Sequence, residues 1–119
     1  MKIIIKRRPH NTAILISFDT EPEKFDSVSE RNKFFTELHG RRQTITKESG
    51  KYVYLREGLL DGIPHIKVEN SVFIIAMEHM RRMMEFFDEW DDKVSVKTFP
   101  VILKKKELQQ LQEREIEIE

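Results

Sequence analysis

An α+β domain is what this chain predicts, on three observations. Short runs of β-branched and aromatic residues alternate with two longer segments whose apolar residues recur at helical spacing, and glycines or an Asp-Gly pair punctuate the boundaries. Length agrees, since 119 residues suffice for one core and are too few for two ordinary ones. A hydrophobic share of 39% beside a charged share of 35%, with few Gly and Pro, belongs to a folded chain and not to a disordered one. These place a single α+β domain at residues 1–103 and a charged helix or strand extension at residues 104–119.

The first element is the apolar run at residues 12–18, suited to a buried strand. In SVSERNKFFTELHG, Ser27 followed three residues later by Glu30 is a capping box, and Gly40 stands where a helix C-cap glycine belongs. Val28, Phe34, Phe35 and Leu38 then form the apolar face of a helix over 27–39. RRQTITKESG reads as a polar loop ending in Gly50. Residues 51–56 have Tyr52, Tyr54 and Arg56 alternating with Val53 and Leu55, the period of a strand. After the turn signal Asp61-Gly62, IPHIKV and NSVFIIA read as one or two further strands.

A second helix over 77–90 places Met77, Met80, Met84 and Phe87 on one stripe, with Met83 and Trp90 at its edge. KVSVKTFPVIL is a strand that Pro100 confines to a sheet edge or a strand end. The tail KKKELQQLQEREIEIE is too polar for a core of its own. Its last residues and the N-terminal KIIIK carry matching apolar alternations and opposite charge, which predicts a strand at Ile116 and Ile118 beside residues 2–6. Flanks aside, the order is strand, helix, strand, strand, helix, strand. That is the split β-α-β or ferredoxin-like arrangement, an antiparallel sheet with two helices on one face. The other face needs cover too, and an open sheet face serves as a dimer surface or a ligand platform.

Composition excludes several classes. With no Cys there is neither a disulfide nor a thiolate metal site, and high charge with no Cys fits a reducing cytosol and is compatible with a thermophile. No apolar run approaches the roughly 18 residues that span a membrane, and the one in MKIIIKRRPHN is too short for a signal peptide, so a cytoplasmic protein with no membrane partner is expected. His10, His39, His65 and His79 show no HxH or HExxH spacing, and no Gly-rich phosphate loop or nucleophile elbow occurs.

Four carboxylates, Asp19, Glu21, Glu23 and Asp26, follow the first strand directly. Read plainly, they solvate the strand's exit, with Asp26 and Glu30 well placed near a helix N-terminus. In ISFD and the element order, however, the chain resembles the small nucleases of the Cas2 type. Those carry an aspartate at the end of the first strand that holds a metal between two subunits, and the resemblance implies that role for Asp19. Magnesium, the cofactor under that reading alone, accepts one or two carboxylates with water filling the rest. The resemblance stops there, since the ten residues after Gly40 have no counterpart in it.

The basic residues carry the reading that accounts for most of the surface. Residues 1–70 hold 13 Lys or Arg against 10 Asp or Glu, and residues 71–119 hold 8 against 11, so the first part is mildly basic although the chain is neutral. Arg7, Arg8, Arg41, Arg42, Lys47, Lys51 and Arg56 are interleaved with Tyr52 and Tyr54, the combination that neutralises phosphates while aromatic faces stack on bases. Arg31 falls inside an apolar helix stripe, where it must pair, reach the helix end or meet a partner. The expected function is therefore a small, non-catalytic nucleic-acid-binding homodimer. The alternatives are a metal-dependent nuclease using Asp19 and a protein-interaction module built on the Met and aromatic stripe.

Overall fold

The computed structural model describes the backbone of residues 12–117 and the side chains of residues 12–111. Strand β1 (Thr12–Thr20) leads to helix α1 (Val28–His39), followed by β2 (Arg41–Lys47), β3 (Gly50–Arg56), β4 (His65–Glu69), β5 (Val72–Ala76), α2 (Met80–Asp88), β6 (Val94–Ile102) and α3 (Lys105–Glu117). The molecule is α+β with antiparallel pairing throughout. One sheet has four strands in the order β4–β5–β1–β6; β2 and β3 form a sheet of their own. With that hairpin set aside, the remaining strands and first two helices run β1, α1, β4, β5, α2, β6. No helix among the described residues is long and apolar enough to cross a membrane.

Strand β1 lies at the centre because its residues are apolar on both faces. Ile14, Ile16 and Phe18 enter the main core with Phe73, Ile75 and Val94 from neighbouring strands and Phe34, Leu38, Met83, Phe87 and Trp90 from the helical layer. Phe34, fully buried, is its hub: its ring centroid is 5.6 Å from that of Phe18 and 5.4 Å from that of Trp90, both edge-on, and 5.5 Å from that of Phe86. Such aromatic pairs contribute about 0.5–1.5 kcal/mol each beyond the area they bury.

Helix α1 starts where its cap predicts. The Ser27 hydroxyl accepts from the Glu30 amide at 3.1 Å, while the Glu30 carboxylate accepts from the amide of Asp26, one residue ahead of the usual capping-box partner, at 3.0 Å. Val28 departs from the predicted apolar face and is 76% exposed. It stands six residues from Phe34, about 120° around the helix from the buried line. Along α2 and the turn that follows it, the buried line is Met83, Phe87 and Trp90, flanked by Met80 and Phe86, in place of the predicted Met77–Met80–Met84–Phe87 stripe. Met77 lies in a 3₁₀ turn (Met77–His79), whose tighter winding rotates it out to solvent.

The second sheet face gains cover from the segment expected to be too polar for a core. Helix α3 places Leu108 and Leu111, three residues apart, against Ala13, Ile66, Ile74, Val101 and Leu103. The Lys104 amide donates to the Glu107 carboxylate at 3.1 Å and starts the helix, and the run of Lys, Glu, Gln and Leu sustains it. Residues 115–117 are thus helical where alternation predicted a strand. The proposed partner at Lys2 and Lys6, with Ile118, lies outside the described residues. Pro100 sits on β6, an edge strand, as its missing donor requires.

The largest departure is the hairpin. RRQTITK, expected as loop, is strand β2, paired from Arg41 opposite Arg56 to Lys47 opposite Gly50. Strand β3, expected in the main sheet, is exposed along its whole length. Neither the Tyr52/Tyr54 face nor the Val53/Leu55 face enters the core.

Candidate nucleic-acid interface on the β2–β3 arm

Local chemistry explains why a ribbon with so little burial forms. Thr44, Ile45, Thr46, Tyr52, Val53 and Tyr54 are strong strand formers, and Thr44 faces Val53 and Ile45 faces Tyr52 across the ladder. At the tip, Glu48 and Ser49 turn the chain and Gly50 takes φ 136°, a dihedral that side chains disfavour. The Ser49 and Tyr52 hydroxyls are hydrogen-bonded at 2.7 Å, and the Lys47 ammonium stands 5.6 Å from the centroid of the Tyr52 ring.

The root is a contact between two glycine backbones. Gly40 ends α1 at φ 81°, its amide donating to the Thr36 carbonyl at 2.8 Å. Gly58 lies against it so closely that a Cβ there would be 2.2 Å from the Gly40 nitrogen and 2.6 Å from the Leu38 carbonyl oxygen. The Gly58 amide donates to the Asp61 carboxylate at 2.7 Å. Beside this neck, the His39 ring stacks on Phe35, and its Nε2–H donates to the Asn70 carbonyl at 3.1 Å. Burial pushes the His39 pKa below its ordinary 6.5, against the pull of that hydrogen bond.

Most of the residues singled out from the sequence meet on this arm. Arg41, Arg42 and Lys47 lie on β2, and Lys51, Tyr52, Tyr54 and Arg56 on β3. Glu48 is the sole carboxylate between residues 41 and 56. Strand alternation divides them: Arg41, Lys47, Tyr52, Tyr54 and Arg56 share one face, and Arg42 and Lys51 the other, with Val53 and Leu55. Arg31 stands apart on α1, exposed, its guanidinium 5.5 Å from the centroid of the Phe35 ring. Arg7 and Arg8 lie outside the described residues.

The first face looks across a cleft of about 600 Å³ at α1. The helix lines it with Ser29, Asn32, Lys33, Thr36 and Glu37, a polar stripe on the flank turned away from Phe34 and Leu38. The arm lines it with Arg41, Gln43, Ile45, Tyr54 and Arg56, and with Leu55 of the other face at the cleft's margin. Asn32, Lys33 and Gln43 were not singled out from the sequence. Their signal was available, as polar spacing of three and four on the helix and as Gln43 in step with Arg41 on the strand.

The carboxylates after β1 are distributed otherwise. Asp19 is exposed near the end of β1, opposite Ser95 of β6. Glu21 pairs with Lys24 at 2.5 Å, and Asp26 with Lys93 at 3.7 Å. Lys93 also donates to Glu30, and this bond is the main reason that the Glu30 carboxyl titrates below its usual range. Among the described residues, no three His, Cys, Asp or Glu side chains are grouped to hold a metal ion. Comparison of the chain with protein families, with curated proteins and with solved structures finds no match in any of the three, so the arm and its cleft are interpreted from their own geometry.

Proposed function

We propose that the chain is a small, non-catalytic nucleic-acid-binding protein that acts as a homodimer, with the β2–β3 arm as its binding element. The observation that carries this reading is the gathering of Arg41, Arg42, Lys47, Lys51 and Arg56 with Tyr52 and Tyr54 on one exposed ribbon. Cations there meet phosphates at little desolvation cost, and the tyrosines offer faces for bases. The body is read as a ferredoxin-like split β-α-β domain with the arm inserted after α1. The sheet order β4–β5–β1–β6 and the element order without the hairpin support that reading. Exposed Phe99 and Ile102 on the edge strand β6 support the homodimer, and the lack of Cys supports a cytoplasmic setting.

Changing Arg41 and Arg42 together to Glu is expected to weaken binding about uniformly across DNA and RNA sequences and to flatten its dependence on salt, measured by gel shift from low salt upward. Unchanged binding would remove the arm from the interface. The alternative, a magnesium-dependent nuclease using Asp19, draws support from that carboxylate's exposed place near the end of a central strand. Metal-dependent cleavage abolished by Asp19→Asn would select it over the binding protein.

A further inference from the structure

We propose that the cleft between α1 and the arm holds one unpaired nucleotide, so that the protein takes single-stranded nucleic acid in preference to duplex. The inference rests on the nucleic-acid reading of the arm and adds the form of the ligand.

Gln43 and Tyr54 are directly opposite in the ladder and share the face turned to α1. Residues so paired have Cβ atoms about 4.5–5.5 Å apart. An aromatic face and an amide therefore stand side by side, one to stack on a base and the other to hydrogen-bond its edge. Asn32 brings a second amide from the helix side of the same cleft. Each amide both donates and accepts, so the pair meets the mixed edges of any base without demanding one. Two rungs toward the neck, and on the same face, Arg41 and Arg56 stand opposite each other. That rung lies about 6.8 Å along the strands, where they meet the phosphate of a nucleotide whose base lies on Tyr54. Lys33, across the cleft, adds a third cation, offset by Glu37, with which it pairs at 3.9 Å.

The cleft's shape separates unpaired from paired ligands. A volume of about 600 Å³ lies within the range of small-molecule clefts, about 300–1,000 Å³, and suits a nucleotide and not a rod of stacked pairs. In a duplex the base faces are covered by their neighbours, and only edges reach the grooves. A tyrosine that faces a helix across a cleft meets a base face only once that base has left the stack.

The test is fluorescence anisotropy at low salt with a labelled mixed-sequence single strand and the blunt duplex of the same sequence, using wild type, Tyr54→Ala, Tyr54→Phe and Gln43→Ala. The single strand should bind more tightly than the duplex. Tyr54→Ala should weaken it about 5- to 150-fold, the loss of one stacked base, while Tyr54→Phe retains binding and the duplex is unaffected. Gln43→Ala should give a smaller loss of the same selectivity. Because Tyr54 is 49% exposed, its variants should melt with the wild type, which guards against loss of fold. Equal binding of the two forms, or an equal loss for both in Tyr54→Ala, overturns the proposal while leaving the arm a phosphate-binding surface. No binding of either form overturns both readings. Displacement of the single strand by micromolar adenosine monophosphate also overturns it, because the ligand would then be a free nucleotide; displacement confined to millimolar concentrations is expected.

Discussion

The sheet-and-helix body and the arm are built on opposite terms. In the body nearly every large apolar side chain on β1 and β5 is buried or half-buried, and Phe34 has no exposure at all. On the arm, Leu55 is 75% exposed and Val53 49% exposed. Isolated two-stranded hairpins are marginal in water, so the arm depends on the turn at Gly50, the cross-strand pairs and the anchorage at its root. The contrast teaches that the arm's side chains contribute little to folding, which leaves them available to an outside ligand.

The comparison is broken most easily by truncating one aromatic in each region. Phe34→Ala should lower stability by about 3–5 kcal/mol in chemical denaturation, the usual cost of emptying a buried aromatic site. Tyr54→Ala should change it by no more than about 0.5 kcal/mol. A loss above about 1 kcal/mol for Tyr54 would mean that the arm is part of the body's core.

A smaller effect is expected where the regions join. Gly58→Ala forces a Cβ against the Gly40 backbone and should cost about 1–3 kcal/mol, as overpacking does. It should also weaken nucleic-acid binding more than the lost stability explains, because the arm must shift. Gly62→Ala, with nothing within 4 Å of the added carbon, is the control, expected within about 0.5 kcal/mol of wild type. Equal behaviour of the two would dissolve the neck as a structural joint.

The smallest expected effect is a pH dependence at His39. Its folded pKa lies below the ordinary 6.5, so the unfolded chain takes up the proton first. Its contribution to stability is full above about pH 6.5 and is lost as pH falls from there to the folded value. Melting followed downward from neutral pH should show this slope in wild type and a flatter one in His39→Gln.

How legible each region was follows from the same contrast. Helix α1 could be read from Ser27, Glu30 and Gly40, because caps are local chemistry. The core strands could be read because burial imposes apolar runs. RRQTITK could not, because a ribbon wet on both faces has no apolar period and looks like a loop. Helix α3 was underrated because two leucines three residues apart were enough to cover Ala13 and Leu103. The arm's cations and tyrosines were visible as composition. Asn32 and Gln43 each lay in a local polar pattern, but their meeting in one cleft did not, because it depends on the approach of Gly40 and Gly58, eighteen positions apart, which no local pattern records.

The neck has a topological consequence. The chain leaves the body at Gly40 and returns to the same point at Gly58, so the span between them is a detour that begins and ends at one place. The four-stranded sheet closes without it. Such a detour can be lengthened, shortened or exchanged without moving β4 or β5, making the body a handle and the arm a replaceable fitting whose chemistry is set by only sixteen ladder and turn positions, residues 41–56.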